Sequence, residues 1–132
     1  MVKKVIVRFI IEIGGKPVEN VDKALNLVLN KLKDEKKKFK VLDSHLESPE
    51  LDDKTTLYMG FIEVSVKFKD TSEILAFILD YTPTSVEIEE PETIELNAQD
   101  FTGILNDMST SVLNLNNKIR QLNAHIHMMK KK

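Results

Sequence analysis

Three histidines are the first side chains in this sequence that could bind a metal ion or transfer a proton. His125 and His127 are two residues apart in a segment with helical periodicity. Such a pair points to different sides of a helix, so the two cannot easily share one ion. His45 has no partner nearby in the sequence. We interpret all three as solvated side chains and expect no metal site.

Two acidic groups could in principle supply an acid–base pair. They are Glu47, Glu50, Asp52 and Asp53, and then Glu87, Glu89, Glu90, Glu92 and Glu95. The first group falls in a predicted loop and the second on an outward strand face, where carboxylates usually protect a sheet edge from wrong pairing. The run Gly14-Gly15-Lys16-Pro17 lacks the spacing of a phosphate-binding loop. We therefore expect no catalytic residue, no cofactor and no enzymatic activity.

The composition of the chain excludes several further kinds of site and partner. The chain has 132 residues, with 19 basic and 21 acidic side chains and a net charge of -2, so no overall field attracts it to nucleic acid or to an anionic membrane. It contains no cysteine, which excludes disulfides, thiol catalysis and thiolate zinc sites. Arg8 and Glu12 interrupt the apolar N-terminal run, which therefore predicts a strand. We expect a cytoplasmic protein without a membrane segment.

The hydrophobic pattern predicts an α+β fold. Alternation predicts strands over residues 2–13, 39–46, 56–68 and 84–90, the last with Val86 and Ile88 inward. A helix capped by Asn20 ends near residue 35, and a second one follows Asp70 and runs over 74–81. Residues 14–17 and 48–54 are predicted turn and loop. This order matches a ferredoxin-like βαββαβ sandwich, four antiparallel strands with both helices on one face.

The predicted organisation is a ferredoxin-like head over 1–91, an extended linker over 92–97 and a C-terminal helix over 98–132. The second face of the sheet would carry five apolar residues, Ile6, Ile10, Leu57, Met59 and Phe61. An exposed patch of this kind usually marks an interface. We expect either the start of the C-terminal helix, with Phe101, Ile104 and Leu105, or a second subunit to cover it.

The C-terminal helix carries a heptad repeat. In the heptad notation abcdefg, the a positions are Ala98, Leu105, Val112, Ile119 and Ile126, and the d positions are Phe101, Met108, Leu115, Leu122 and Met129. A strict seven-residue repeat drifts around a straight helix, so a long one favours a left-handed coiled coil. The predicted oligomer interface is Leu105, Met108, Val112, Leu115, Ile119, Leu122, Ile126 and Met129.

The residue types of this repeat lean toward a parallel homodimer. β-Branched a residues and leucine at two d positions favour that state. The e and g positions lack the opposite charges that fix partner and direction. An antiparallel arrangement and a heteromeric helical partner therefore stay open. The sequence thus predicts a non-enzymatic oligomerisation and protein-protein interaction module.

Two other functions are alternatives. Lysine runs at Lys36 to Lys38 and Lys130 to Lys132 could serve a nucleic-acid-associated protein, but the third strand carries Glu63 and lacks the basic-aromatic signature of sheet RNA binders. Nucleic acid is therefore not the expected partner. A small-ligand-sensing regulatory protein, with its ligand at a subunit interface of the sheet, is the other alternative.

Part of the chain has a family resemblance. From Gly60 to about Val112 a strand, the short helix Ile74-Leu75-Ala76-Phe77-Ile78-Leu79, the segment from Thr84 to Pro91 and a helix follow one another. This pattern resembles the C-terminal extension of WYL-domain transcription regulators, although no functional residue of that family maps onto this sequence. The whole pattern is similar to that of small uncharacterised archaeal proteins.

Overall fold

The computed structural model describes residues 4–35 and 38–131. Its elements in chain order are β1 (Val5–Gly15), α1 (Val18–Asp34), β2 (Phe39–Leu51), β3 (Tyr58–Phe68), α2 (Thr71–Tyr81), β4 (Ser85–Glu90) and α3 (Ala98–Lys130). The chain divides between Ile94 and Glu95 into two compact units. We call the first the head. The second consists mainly of α3.

The head is α+β, with one four-stranded antiparallel sheet in the order β2-β3-β1-β4. Alternate residues of the two central strands are buried, and α1 and α2 contribute to the same core. The α+β class, the four antiparallel strands and the long C-terminal helix were all predicted. The buried apolar core residues are Val5, Val7, Phe9, Ile11, Val21, Leu25, Leu32, Phe39, Ile62, Val64, Val66, Phe68 and Phe77.

Aromatic rings join α2 to this core. Phe77 of α2 stacks on Phe9 of β1, with ring centroids 4.2 Å apart, and meets Phe68 edge-on at 5.8 Å. Phe39 and Tyr81 extend the cluster. Such geometries match the quadrupoles of aromatic rings. Because Phe77 touches rings from three strands, it fixes the position of α2 over the sheet.

The start of α1 differs from the prediction. The helix begins at Val18 after Pro17, so Asn20 lies inside its first turn and is not the cap. The backbone N–H of Asn20 donates to the Pro17 carbonyl at 3.0 Å. Pro17 is the N-cap residue, with extended backbone angles (φ -72°, ψ 174°), so the helical conformation begins at the next residue.

Strand β2 is longer than predicted. It continues to Leu51, so the predicted loop over residues 48–54 was wrong for its first part. Ser48 and Pro49 fall where the register with β3 shifts, between Glu47 and Glu50. Because β2 is an edge strand, proline is tolerated there at an irregularity. Gly60 of β3 accommodates that irregularity, since a Cβ at Gly60 would stand 3.0 Å from the Glu47 carbonyl oxygen.

The predicted inward orientation of Val86 and Ile88 in β4 is confirmed, but neither side chain is fully covered. Val86 and Ile88 pair with Phe9 and Val7, so their side chains lie on the core side of the sheet. They are nevertheless 46% and 48% exposed. The cause is position, because β4 is the edge strand beside β1 and the helices leave that side only partly covered.

Helices α2 and α3 begin as the sequence indicates. The Asp70 carboxylate accepts a hydrogen bond from the Ser72 backbone N–H at 3.2 Å, and the Asn97 side chain accepts one from Asp100 N–H at 2.8 Å. Both are N-cap bonds that satisfy a free helical donor. Among the described residues, no helix combines the length and apolarity needed to cross a membrane.

Candidate functional site

The apolar repeat of α3 forms one continuous stripe, which we call the seam. An unbroken helix of 33 residues carries it, and alternating spacings of three and four place its residues along one line of that helix. None of the described residues of α3 is buried. Nine large side chains of the seam are 42% to 63% exposed: Phe101, Leu105, Met108, Val112, Leu115, Ile119, Leu122, Ile126 and Met129.

The borders of the seam are mostly polar and neutral, with Ile104 and Leu113 as apolar exceptions. On one side lie the e positions Thr102, Ser109, Asn116 and Asn123, and on the other the g positions Ser111, Lys118 and His125. Asp100 in the first turn and Lys130 in the last suit the two ends of the helix dipole. The arrangement is therefore an amphipathic helix with a narrow apolar stripe, the form in which coiled-coil helices present themselves.

A second surface is the sheet face turned away from α1 and α2, which we call the outer face. At its centre Arg8 donates to Glu63 at 2.7 Å and to Glu89 at 3.4 Å. Ser65 donates to the second oxygen of Glu89 at 2.7 Å. This network joins the three strands β1, β3 and β4. Arginine suits such a site because its planar fork can serve two carboxylates at once.

The five apolar residues predicted for the outer face lie on β1 and at the start of β3, among charged side chains. Ile6 and Ile10 are half-buried and flank Arg8 along β1, so the charged network separates them. Phe61 lies opposite Glu12 on β1 and opposite Glu47 on β2. Met59 faces Gly14, and Leu57 precedes the first residue of β3.

One corner of the outer face collects lysines, and sequence reasoning missed it. Lys40 of β2 pairs directly with Lys67 of β3. Repulsion from Lys4 is the largest cause that lowers the pKa of Lys67 from its usual 10.5, and Lys40 adds to it. The cluster depends on strand register, which no local pattern reveals. Of the predicted lysine runs, Lys36, Lys37 and Lys132 lie outside the described residues.

The histidines and carboxylates have no metal-site geometry. His45 Nε2 lies 2.9 Å from a Glu47 carboxylate oxygen on the same strand, and both side chains are exposed. His125 and His127 are exposed on α3. Over 4–35 and 38–131, no three histidine or acidic side chains stand close enough together to hold an ion.

Comparison with known families gives one match. The model of the MJ0538 family matches residues 6–131, which takes in all but the ends of the chain. The chain belongs to the MJ0538 family. No curated protein and no solved structure matches it.

The matched range takes in both units of the chain. It begins in β1 of the head and extends past Met129, the last residue of the seam.

Proposed function

We propose that this chain is a non-enzymatic oligomerisation module whose head is displayed by a homodimeric coiled coil of α3. The observation that carries the proposal is the seam, nine large apolar side chains left about half exposed along 33 residues of helix. A helix of that length spans about 50 Å at roughly 1.5 Å per residue. The described residues of the head present no apolar stripe of comparable length.

The free energy available at the seam is large. Full burial of a leucine, isoleucine, phenylalanine or methionine side chain contributes about 1.5–3 kcal/mol. A specific interface buries about 800 Å² on each partner, and nine half-exposed large side chains offer area of that order. Exposed stripes of this size mark binding surfaces on folded proteins.

A second copy of the chain is the partner that the charges favour. The first half of α3 has Asp100 and Asp107 but no lysine or arginine, whereas the second half has Lys118, Arg120 and Lys130 but no acid. In an antiparallel pair, each half of the helix would meet its opposite charge on the second copy. A homodimer needs no further component to be complementary.

The fold of the head also fits the proposal, in which the head is the folded domain that the coiled coil presents. We assign it to the ferredoxin-like class, because its elements follow the order strand, helix, strand, strand, helix, strand and its sheet has the order β2-β3-β1-β4. The clefts of the described head are lined by side chains such as Lys33, Asp43 and Glu50, without the hydrogen-bonded base and nucleophile that catalysis of acyl transfer requires.

Aspartate substitution inside the seam tests the proposal. Ile119→Asp together with Leu122→Asp places charge in adjacent seam positions, so we expect the dimer to dissociate to single chains in analytical ultracentrifugation. The matched control, Asn117→Asp with Ala124→Asp, adds the same charge on the opposite helix face and should leave the dimer intact.

The head provides an internal check on folding. Both tyrosines of the chain, Tyr58 and Tyr81, pack against the head core, so the tyrosine bands of near-ultraviolet circular dichroism report on the head alone. We expect that signal to be unchanged in both variants. A dimer that survives the seam substitutions would show that α3 does not hold it together.

Nucleic-acid binding is the second candidate, and the lysine corner formed by Lys4, Lys40 and Lys67 favours it. The centre of the outer face argues against it. Arg8 is already engaged by Glu63 and Glu89, and Phe61, which would stack on a base, has an acidic side chain as neighbour on each adjoining strand. A polyanion would meet negative charge where base contacts are made.

A further inference from the structure

Resting on the proposed self-association, we propose that the two copies of α3 pair antiparallel, with Val112 of one copy opposite Leu115 of the other. The residue types at a and d favour a parallel pair when taken position by position. Two further observations on α3, the sizes of residues that would face each other and the distribution of charge, point to the opposite direction.

The seam is complementary to itself when reversed. With Val112 facing Leu115, every a residue of one copy faces a d residue of the other. The facing pairs are Ala98 with Met129, Phe101 with Ile126, Leu105 with Leu122, Met108 with Ile119, and Val112 with Leu115. The smallest residue of the seam thus faces a large one, and the aromatic ring faces a β-branched residue.

A parallel pair would fill its layers less evenly. Ala98 would face Ala98 and leave a gap, while Phe101 would face Phe101 and crowd the next layer. Interiors are close-packed, so layers of equal volume are favoured over alternating gaps and crowding. The reversed register removes both defects with no shift in the repeat.

Charge at the borders of the seam supports the same direction. In the heptad wheel, positions c and g lie on one side of the seam and positions e and b on the other. In an antiparallel pair the two g sides face each other. Asp107 occupies a c position and Lys118 a g position. In this register, Asp107 of one copy lies within two residues, measured along the helix axis, of Lys118 of the second copy.

A parallel pair instead opposes like charges. There the g side of one helix faces the e and b side of the other, so Lys118 approaches Arg120 of the second copy. Because either dimer is twofold symmetric, each contact occurs twice. The parallel pair therefore has two repulsive contacts, and the antiparallel pair has two attractive ones. Charges at an interface border discriminate between arrangements more than they add affinity, so they set the direction while the seam provides the binding.

The distance between two spin labels measures the direction. The chain has no cysteine, so Asn117→Cys and Ala124→Cys each give one label per chain, both on the face away from the seam. In the antiparallel pair the axial separation of the labels rises from about 10 Å at residue 117 to about 31 Å at residue 124, at roughly 1.5 Å per residue. Dipolar spectroscopy on the full chain should show the longer distance at residue 124.

Equal distances at the two positions would overturn the antiparallel direction and leave self-association standing. Absence of any dipolar signal at both positions, with a mass of one chain, would overturn both proposals together. The two failures are therefore distinguishable from a single pair of samples.

Charge exchange gives an independent test of the border pairs. Asp107→Lys and Lys118→Glu should each raise the dimer dissociation constant about tenfold, as expected for two surface pairs turned from attraction to repulsion. The double variant should return to near the original value. If Lys118→Glu alone tightens the dimer, Lys118 faces Arg120 and the pair is parallel.

Discussion

At the scale of single residues, Gly60 shows how the absence of a side chain allows two neighbouring strands to approach closely. A Cβ there would lie 2.5 Å from the Leu25 side chain and 3.3 Å from Pro49 Cα. The irregular part of β2 can therefore approach β3 only because Gly60 leaves space. In the sequence this glycine reads only as one member of an alternating strand, since the approach of β2 is a contact between distant segments.

Alanine at two glycines should change stability in opposite directions. Gly60→Ala crowds backbone atoms and should destabilise the head by about 1–3 kcal/mol, the usual cost of overpacking. Gly103→Ala meets nothing within 4 Å and lies inside a helix, so it should stabilise α3 by about 0.5–1 kcal/mol. Thermal unfolding followed by circular dichroism measures both. A neutral Gly60→Ala would contradict the close approach of β2.

At the scale of elements, local signals predicted the helices better than their ends. The periodicity of α1 predicted its apolar stripe, but the helix begins at Val18, ahead of the predicted cap Asn20. The length of β2 could not be predicted because Ser48 and Pro49 are turn formers, and pairing with β3 overrides that preference. The seam was predicted because its pattern is contained within one helix.

Alanine substitutions at Asp70, which caps α2, and at Asn20, which was predicted to cap α1, test which of the two residues acts as an N-cap. Asp70→Ala removes the hydrogen bond to Ser72 N–H and should lower the free energy of unfolding of the head by about 1 kcal/mol. Asn20→Ala places a better helix former inside the first turn of α1, so we expect no loss of stability. Urea unfolding followed by tyrosine fluorescence measures both. A loss at Asn20 equal to that at Asp70 would mean that Asn20 caps α1.

At the scale of the whole molecule, the two candidate surfaces differ in how far the sequence could reveal them. The seam residues were identified from spacing alone, whereas the Arg8 network and the lysine corner needed the register of four strands. The apolar outer face was inferred from alternation, which fixes sides but not neighbours. Alternation therefore could not show that Glu63 and Glu89 of the neighbouring strands engage Arg8.

Nucleic-acid binding should be weak for the whole chain. With a net charge of -2 and carboxylates beside Phe61, we expect no affinity tighter than about 10⁻⁶ M for generic DNA or RNA at physiological salt. Fluorescence anisotropy with a labelled oligonucleotide measures this, and the control is the variant Lys40→Gln with Lys67→Gln. A submicromolar, salt-sensitive complex that this variant abolishes would make the lysine corner the functional site.

Self-association through α3 is the central claim, and the mass of the unmodified chain in solution tests it most directly. Light scattering across a range of concentrations should give about twice the chain mass of 15.1 kDa, because the seam has no other partner in the sample. A mass of one chain at every concentration measured would contradict the claim.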